Sequence, residues 1–358
     1  MNPQNDFFQL YVAMNDCALR NDWLPSVLRP VLIIEFIVGL LGNGLALWIF
    51  CWRIKTLKSS TVYLFNLAVA DFLLIVCLPF RTDYYIRERD WIFGDFPCRV
   101  MLFMVSLNRA GSIVFLTVVA VDRYFKVVHP HHMFNVLSKS YAVKISLLLW
   151  GLTGAMTVYL MTESHLEAEG EQNSSAQHCE SFKLGARVAG TYLWHITFFI
   201  AEFILPLCII FSCTMCISKE LRKRGMTKDQ RITRALQAVQ AVAGVFIFCF
   251  LPSSVGIIVV MIAKSHGNCQ AYQLAGQIFY TSLSLTYFNS MLDPVVYYFS
   301  SPTFRQALKN VTSKKEHRKQ RGGNRSKESD TSSRTISPQS GWDTPTEGVS
   351  LPFLTMPT

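Results

Sequence analysis

The 358-residue chain is 51% hydrophobic and only 16% charged, with a mean hydropathy of +0.27. That balance excludes an ordinary soluble globular protein, in which about a quarter of residues carry charge. The formal net charge of +10 gathers in short loops beside apolar runs, so it reads as a membrane topology signal and gives no support to nucleic-acid binding.

Residues 1–26 are polar and mixed, and are read as an extracellular N-terminal segment. No cleavable signal peptide is expected, because the first apolar run is too long for a signal h-region. Seven apolar windows follow, roughly at 27–52, 60–86, 96–128, 141–163, 191–218, 233–263 and 272–299. Each reaches the twenty or so residues that cross a hydrocarbon core of about 30 Å. Pro206, Pro252 and Pro294 interrupt the last three, which neighbouring helices accommodate in a membrane bundle. Residues 27–300 are therefore predicted to form a seven-transmembrane helix bundle, and the fold class is an all-α membrane protein. Over 301–313, Phe304, Ala307, Leu308 and Val311 share a face, which predicts a short amphipathic eighth helix on the membrane surface. Periodicity then ends, and 314–358 is expected to be a disordered cytoplasmic tail. Ser329, Thr331, Ser332, Ser333, Thr335 and Ser337 in it are either plain disorder or kinase sites that recruit a partner through phosphate charge.

Orientation follows from Lys and Arg at the helix ends. Arg53, Lys55 and Lys58, then Lys219 to Arg234, then Lys314 to Arg321 fall on one side, the cytoplasm. The N-terminus is then outside, and Asn173 in Asn173-Ser174-Ser175 becomes an outward glycosylation sequon. Cys51, Cys77, Cys208, Cys213, Cys216 and Cys249 lie in apolar spans as small core residues. Cys17, Cys98, Cys179 and Cys269 lie outside, where disulfides persist, and allow three pairings.

Five ionisable residues, Asp71, Arg81, Arg109, Glu202 and Asp293, fall within the apolar spans. Each costs about 2.5 kcal/mol or more there and is expected to face the bundle interior with a function. Arg109 lies 11 residues after Cys98 and 14 before Arg123. At 1.5 Å per residue it sits about 16 Å below the outer end of its helix, too deep for easy snorkelling. A guanidinium is a planar fork that matches a carboxylate, so Arg109 is the expected anchor of an acidic ligand. The bland alternative is a permanent internal ion pair with Glu202 or Glu35. Arg81 is either a second cation at the pocket mouth or a snorkelling end residue.

Asp122-Arg123-Tyr124 closes the third span at its cytoplasmic edge, and it has company. Gly42-Asn43, Leu67-Ala68-Val69-Ala70-Asp71, Trp150, Pro206, Cys249-Phe250-Leu251-Pro252 and Asp293-Pro294-Val295-Val296-Tyr297 supply one element per span, in order. From about 27 to 312 the chain resembles a rhodopsin-like G-protein-coupled receptor. The resemblance implies a ligand-gated switch built on Asp122, Arg123, Tyr124, Asp293, Pro294 and Tyr297. It also implies an allosteric sodium ion among Asp71, Ser112, Asn289 and Asp293, with no other metal or cofactor. Phe250 stands where many members have Trp, and Asp293 where many have Asn.

Cys77 to Tyr85, Trp91 to Cys98, Asn108 to Ser112, Val127 to His132, Cys179-Glu180-Ser181-Phe182 and Ser290 to Pro302 resemble the hydroxycarboxylic acid and oxoeicosanoid receptors more closely. That likeness implies an extracellular carboxylic-acid ligand and signalling through Gi/o to lower cAMP. It implies partners in arrestin and receptor kinases at the tail, and a place in the plasma membrane among its lipids. Tyr287 would hydrogen-bond the ligand carboxylate, and Ser181 and Phe182 would form a lid. Cys17 and Cys269 match the subfamily's extra outer disulfide, which leaves Cys98 with Cys179. Ile257 stands where short-acid members carry another arginine, and an apolar wall there favours a longer tail. The segments around Arg81 and Cys179 resemble the short-acid members instead. The reading leans slightly to a long-chain oxo or hydroxy fatty acid such as an oxoeicosanoid, with lactate or 3-hydroxybutyrate as the alternative. An anion transporter is more distant, because neither repeated halves nor paired broken helices are visible. His129, His131 and His132 lack an inward acid or Cys partner, and no nucleophile–base pair appears, so no enzyme is predicted.

Overall fold

The computed structural model describes residues 24–136, 138–162, 164–168, 177–179, 199–223, 230–266 and 268–311. Seven long helices run through the described residues. They are α1 (Leu24–Trp48, prolonged by a π turn Ile49–Arg53), α2 (Ser59–Ile86), α3 (Asp95–Val128) and α4 (Lys139–Thr157, ending in a 3₁₀ turn Val158–Met161). Then come α5 (Leu205–Lys223, entered through a π turn Ile200–Ile204), α6 (Gln230–Ser265) and α7 (Cys269–Ser300). A further helix, α8, covers 302–311. The chain divides into two compact units, Met1–Leu308 and Lys309–Thr358. The first holds α1 to α7; of the second, only residues 309–311 are described. The expected N-terminal segment to residue 23, Asn173, Ser181, Phe182 and the Ser/Thr tail lie outside the described residues.

The helices are inside-out by the standard of a soluble protein. Along α1, Leu28, Leu32, Glu35, Gly39, Asn43 and Ala46 are buried at helical spacing. The outward side shows Ile34, Ile37 and Leu41, the last 69% exposed. Charge and amide are inside and aliphatic surface is outside, because the surrounding solvent is hydrocarbon. Among the described residues, α1 to α6 are long and apolar enough to cross a membrane. α7 is long enough, but it carries Ser282, Ser284, Thr286, Asn289, Ser290 and Asp293, all buried.

Two apolar clusters fill the bundle. The outer one contains Leu74, Leu78, Trp91, Met101, Leu102, Tyr280 and Tyr287. The inner one contains Ala68, Ile113, Phe115, Phe246, Phe250, Val296 and Tyr297. Between their members, on four helices, come Asp71 of α2, Asn108, Arg109 and Ser112 of α3, Ser253 and Ser254 of α6, and Thr286, Asn289 and Ser290 of α7. The fold is thus two greasy plugs with a polar layer between them.

The departure from an all-helical reading is a short antiparallel hairpin, β1 (Leu166–Ala168) with β2 (Gln177–Cys179), pairing Leu166 with Cys179. A disulfide joins Cys179 to Cys98 at the outer end of α3, one of the pairings the sequence left open. Cys269 is also disulfide-bonded, and its partner lies outside the described residues.

Close helix contact requires small residues at two points. A Cβ on Gly42 of α1 would stand 2.9 Å from Pro294 Cγ, and one on Gly256 of α6 would stand 3.2 Å from Phe279 Cα. Gly42→Val is expected to destabilise the purified protein by about 1–3 kcal/mol through overpacking, read as a lower melting temperature in detergent. Gly44→Val, with nothing within 4 Å of its Cβ, is the control that should leave it unchanged.

Candidate functional site

Arg109 leaves α3 in the polar layer, with its side chain 19% exposed. Nη1 donates to Ser253 Oγ at 2.9 Å and to Thr286 Oγ1 at 3.2 Å, and Nη2 donates to Ser254 Oγ at 2.9 Å. Nε lies 3.8 Å from Glu202 Oε2. The guanidinium carbon rests 5.5 Å over the Phe250 ring, where the ring face attracts a cation. One side chain therefore ties α3 to α5, α6 and α7. The acid beside it is Glu202, turned inward by the π turn; Glu35 is buried in α1 with neither carboxylate oxygen hydrogen-bonded. The three hydroxyls were not singled out by sequence. The signal available was Ser253-Ser254 directly after Pro252, in an otherwise apolar run.

Arg81 is only 4% exposed, so it points into the bundle and does not snorkel. It donates to the Cys179 carbonyl at 3.1 Å and to the Tyr85 hydroxyl at 3.2 Å. The rings of Tyr84 and Tyr85 each stand 5.1 Å from its guanidinium carbon. Tyr287, 5% exposed, is hydrogen-bonded to Arg81. The structure thus brings Tyr287 to Arg81, while Arg109 takes its polar partners from α5, α6 and Thr286. Ile257 is partly buried and packs against the outer apolar cluster.

One level further in, Asp71 Oδ1 accepts from Ser290 Oγ at 2.9 Å and from Asn108 Nδ2 at 3.3 Å, and Asn108 also reaches Ser112 Oγ at 3.5 Å. The Tyr297 hydroxyl stands 2.8 Å from Asp71 Oδ2 and 3.0 Å from Asn43 Oδ1. Asn289 donates to Asp293 Oδ2 at 3.0 Å. Asn289 Oδ1 and Asp293 Oδ1 are buried acceptors without a hydrogen-bond partner. Two acids and spare carbonyl-type oxygens fit a hard monovalent cation bound through oxygen. Pro294 lies close enough to Gly42 that a Cβ there would stand 2.9 Å from its Cγ, beside this cluster.

At the cytoplasmic end Asp122 is 3% exposed. It accepts from Ser60 Oγ of α2 at 2.9 Å and from Lys126 Nζ at 2.8 Å, and pairs with Arg123. Lys126 also touches Ser60. Tyr124 turns away, its hydroxyl 3.0 Å from His129 Nε2. Among the described residues the network links α2 to α3.

Residues 42–297 match the family model described as 7 transmembrane receptor (rhodopsin family). The chain belongs to the rhodopsin family of seven-transmembrane receptors. The receptor is 53% identical over 302 residues to hydroxycarboxylic acid receptor 3 of Homo sapiens, covering 84% of this chain and 76% of that one. It is 50% identical over 320 residues to hydroxycarboxylic acid receptor 2 of Homo sapiens, covering 88% and 86%. Oxoeicosanoid receptor 1 of Homo sapiens is 40% identical over 279 residues, covering 78% and 70%. The receptor is thus a multi-pass membrane protein of a signalling family that takes small-molecule ligands and couples to G proteins.

Replacing both Ser253 and Ser254 by Ala strips two of the three hydroxyls that meet Arg109. Each unsatisfied buried N–H costs about 1–3 kcal/mol. The double variant is expected to melt several degrees lower in a detergent thermal-shift assay, and each single variant to fall between it and wild type.

Proposed function

We propose that this receptor answers to a short extracellular hydroxycarboxylic acid and lowers cAMP through a Gi/o protein. The observation that carries the reading is Arg109. It is a fixed cation at mid-depth in the bundle, with hydroxyls on its terminal nitrogens and its Nε edge 3.8 Å from the nearest acid. A carboxylate entering from outside gains two charge-assisted bonds on that edge. Arg81 and Tyr287, nearer the outer end, offer a cation and a hydroxyl to the remainder of a small ligand.

Relatives named for hydroxycarboxylic acids at 53% and 50% identity, against 40% for the oxoeicosanoid receptor, favour the short acid. They reverse the slight preference for a long acid drawn from Ile257. That residue packs against the outer cluster and still supports a longer tail as the second reading. The N-terminus faces outside, arrestin and kinases act on the tail, and Asp71, Ser112, Asn289 and Asp293 hold a sodium ion. Ser181 and Phe182 form the lid, Asn173 carries the glycan, and Cys17 bonds Cys269.

Inhibition of cAMP accumulation in expressing cells, titrated with lactate, 3-hydroxybutyrate, butyrate and a 5-oxo-eicosanoid acid, tests this. A short acid should be active, and Arg109→Ala should cost at least about 100-fold in potency, the scale for truncating a buried charge pair. Full potency in the variant at normal surface expression ends the reading, and a response to the eicosanoid alone restores the long acid. For the cation, the melting temperature of wild type should rise in sodium chloride relative to choline chloride. Asp71→Asn should remove that difference.

A further inference from the structure

The guanidinium of Arg109 has two edges, and the bundle treats them differently. The end edge, Nη1 and Nη2, is bonded to the hydroxyls of Ser253, Thr286 and Ser254 at 2.9–3.2 Å. The side edge, Nε with the second hydrogen of Nη2, faces Glu202, whose Oε2 is 3.8 Å from Nε. That is beyond hydrogen-bond length, so the two charges are neighbours without the bidentate seat their chemistry allows. Glu202 is there by construction. The π turn Ile200–Ile204 buries Glu202 and Phe203 while Ile200 and Ile204 on either side are 51% and 37% exposed. Such turns re-aim individual side chains and recur at functional sites.

A ligand carboxylate needs the same side edge. One guanidinium cannot serve two carboxylates there, because like charges at contact repel strongly in a dry interior. We propose that Glu202 is a resident competitor for the side edge of Arg109, so that an acid ligand binds only by displacing it. The proposal rests on the carboxylate reading of the site. It makes Glu202 a specificity-determining residue: a ligand without full carboxylate charge cannot evict it. The displacement also has an outlet. Phe203, next in the chain, stacks on Phe246 of α6 at 5.5 Å, and Phe246 meets Phe250 at 5.6 Å, beneath Arg109. Moving Glu202 therefore moves a ring packed on α6.

The test uses full-length receptor carrying Glu202→Gln, with Glu202→Asp as the variant that keeps charge but shortens the reach. The probe is 3-hydroxybutyrate, with its methyl ester as the uncharged control. If Glu202 holds the edge nine-tenths of the time, Gln should improve acid potency in the cAMP assay by about tenfold, since apparent affinity scales with the competent fraction. Asp should shift it in the same direction by less, and the ester should stay inactive. Thermal shift on purified protein should show a larger stabilisation by the acid in Glu202→Gln than in wild type. Equal stabilisation of the two, or weaker potency in both variants at normal surface expression, overturns the role of Glu202 and leaves the carboxylate site standing. If the acid stabilises neither form, the carboxylate reading itself fails.

Discussion

A permanent positive charge sits at mid-depth in a bundle whose outer face meets hydrocarbon, and the helices around it supply oxygen atoms at that level. Ser253 and Ser254 of α6, Thr286 of α7 and Glu202 beside α5 all converge on Arg109. Asn108, its neighbour on α3, points instead to Asp71, so the same layer continues into the acidic cluster. The apolar plugs above and below keep the local dielectric low, which makes every satisfied contact in the layer stronger and every missing one more costly. The sequence choices at this level on α2, α3, α6 and α7 follow from placing those charges there.

That layer also determines what restrains α6. The Asp122 network joins Ser60, Arg123 and Lys126, all on α2 and α3. Helix α6 contains no Asp or Glu from Gln230 to Ser265, so no ion pair can run from it to Arg123. Among the described residues, polar contacts to α6 include the two serines on Arg109 and the Cys249 carbonyl, which accepts from Thr286 Oγ1 at 3.4 Å, backed by the rings of Phe203, Phe246 and Phe250. Both serines directly follow Pro252 inside α6.

How much of this was legible in the sequence depended on range. Helices α1 to α6 announce themselves because lipid requires an apolar run of fixed length, and the family was readable from one motif per span. Arg109 was readable from depth alone as a charge turned into the bundle, and the structure places it there. Its partners were not: Ser253 and Thr286 lie 144 and 177 residues further along, and linear order does not say which hydroxyl faces which nitrogen. Glu202 and Glu35 were equal candidates, because the choice depends on helix rotation, which a single π turn resets. Arg81 was undecided between interior and snorkelling for the same reason. The β hairpin escaped notice because three-residue strands carry too little alternation to detect.

α7 is rich in buried Ser, Thr, Asn and Asp, and Thr286, Asn289, Ser290 and Asp293 among them belong to the layer just described. Polar groups of that kind need partners on neighbouring helices, because hydrocarbon offers none. α7 packs on α6, where Gly256 permits close backbone approach. The last span therefore depends on its predecessor for the surface that receives it. A chain ending between the two would lack Thr286 and Tyr287, and with them the α7 side of the polar layer.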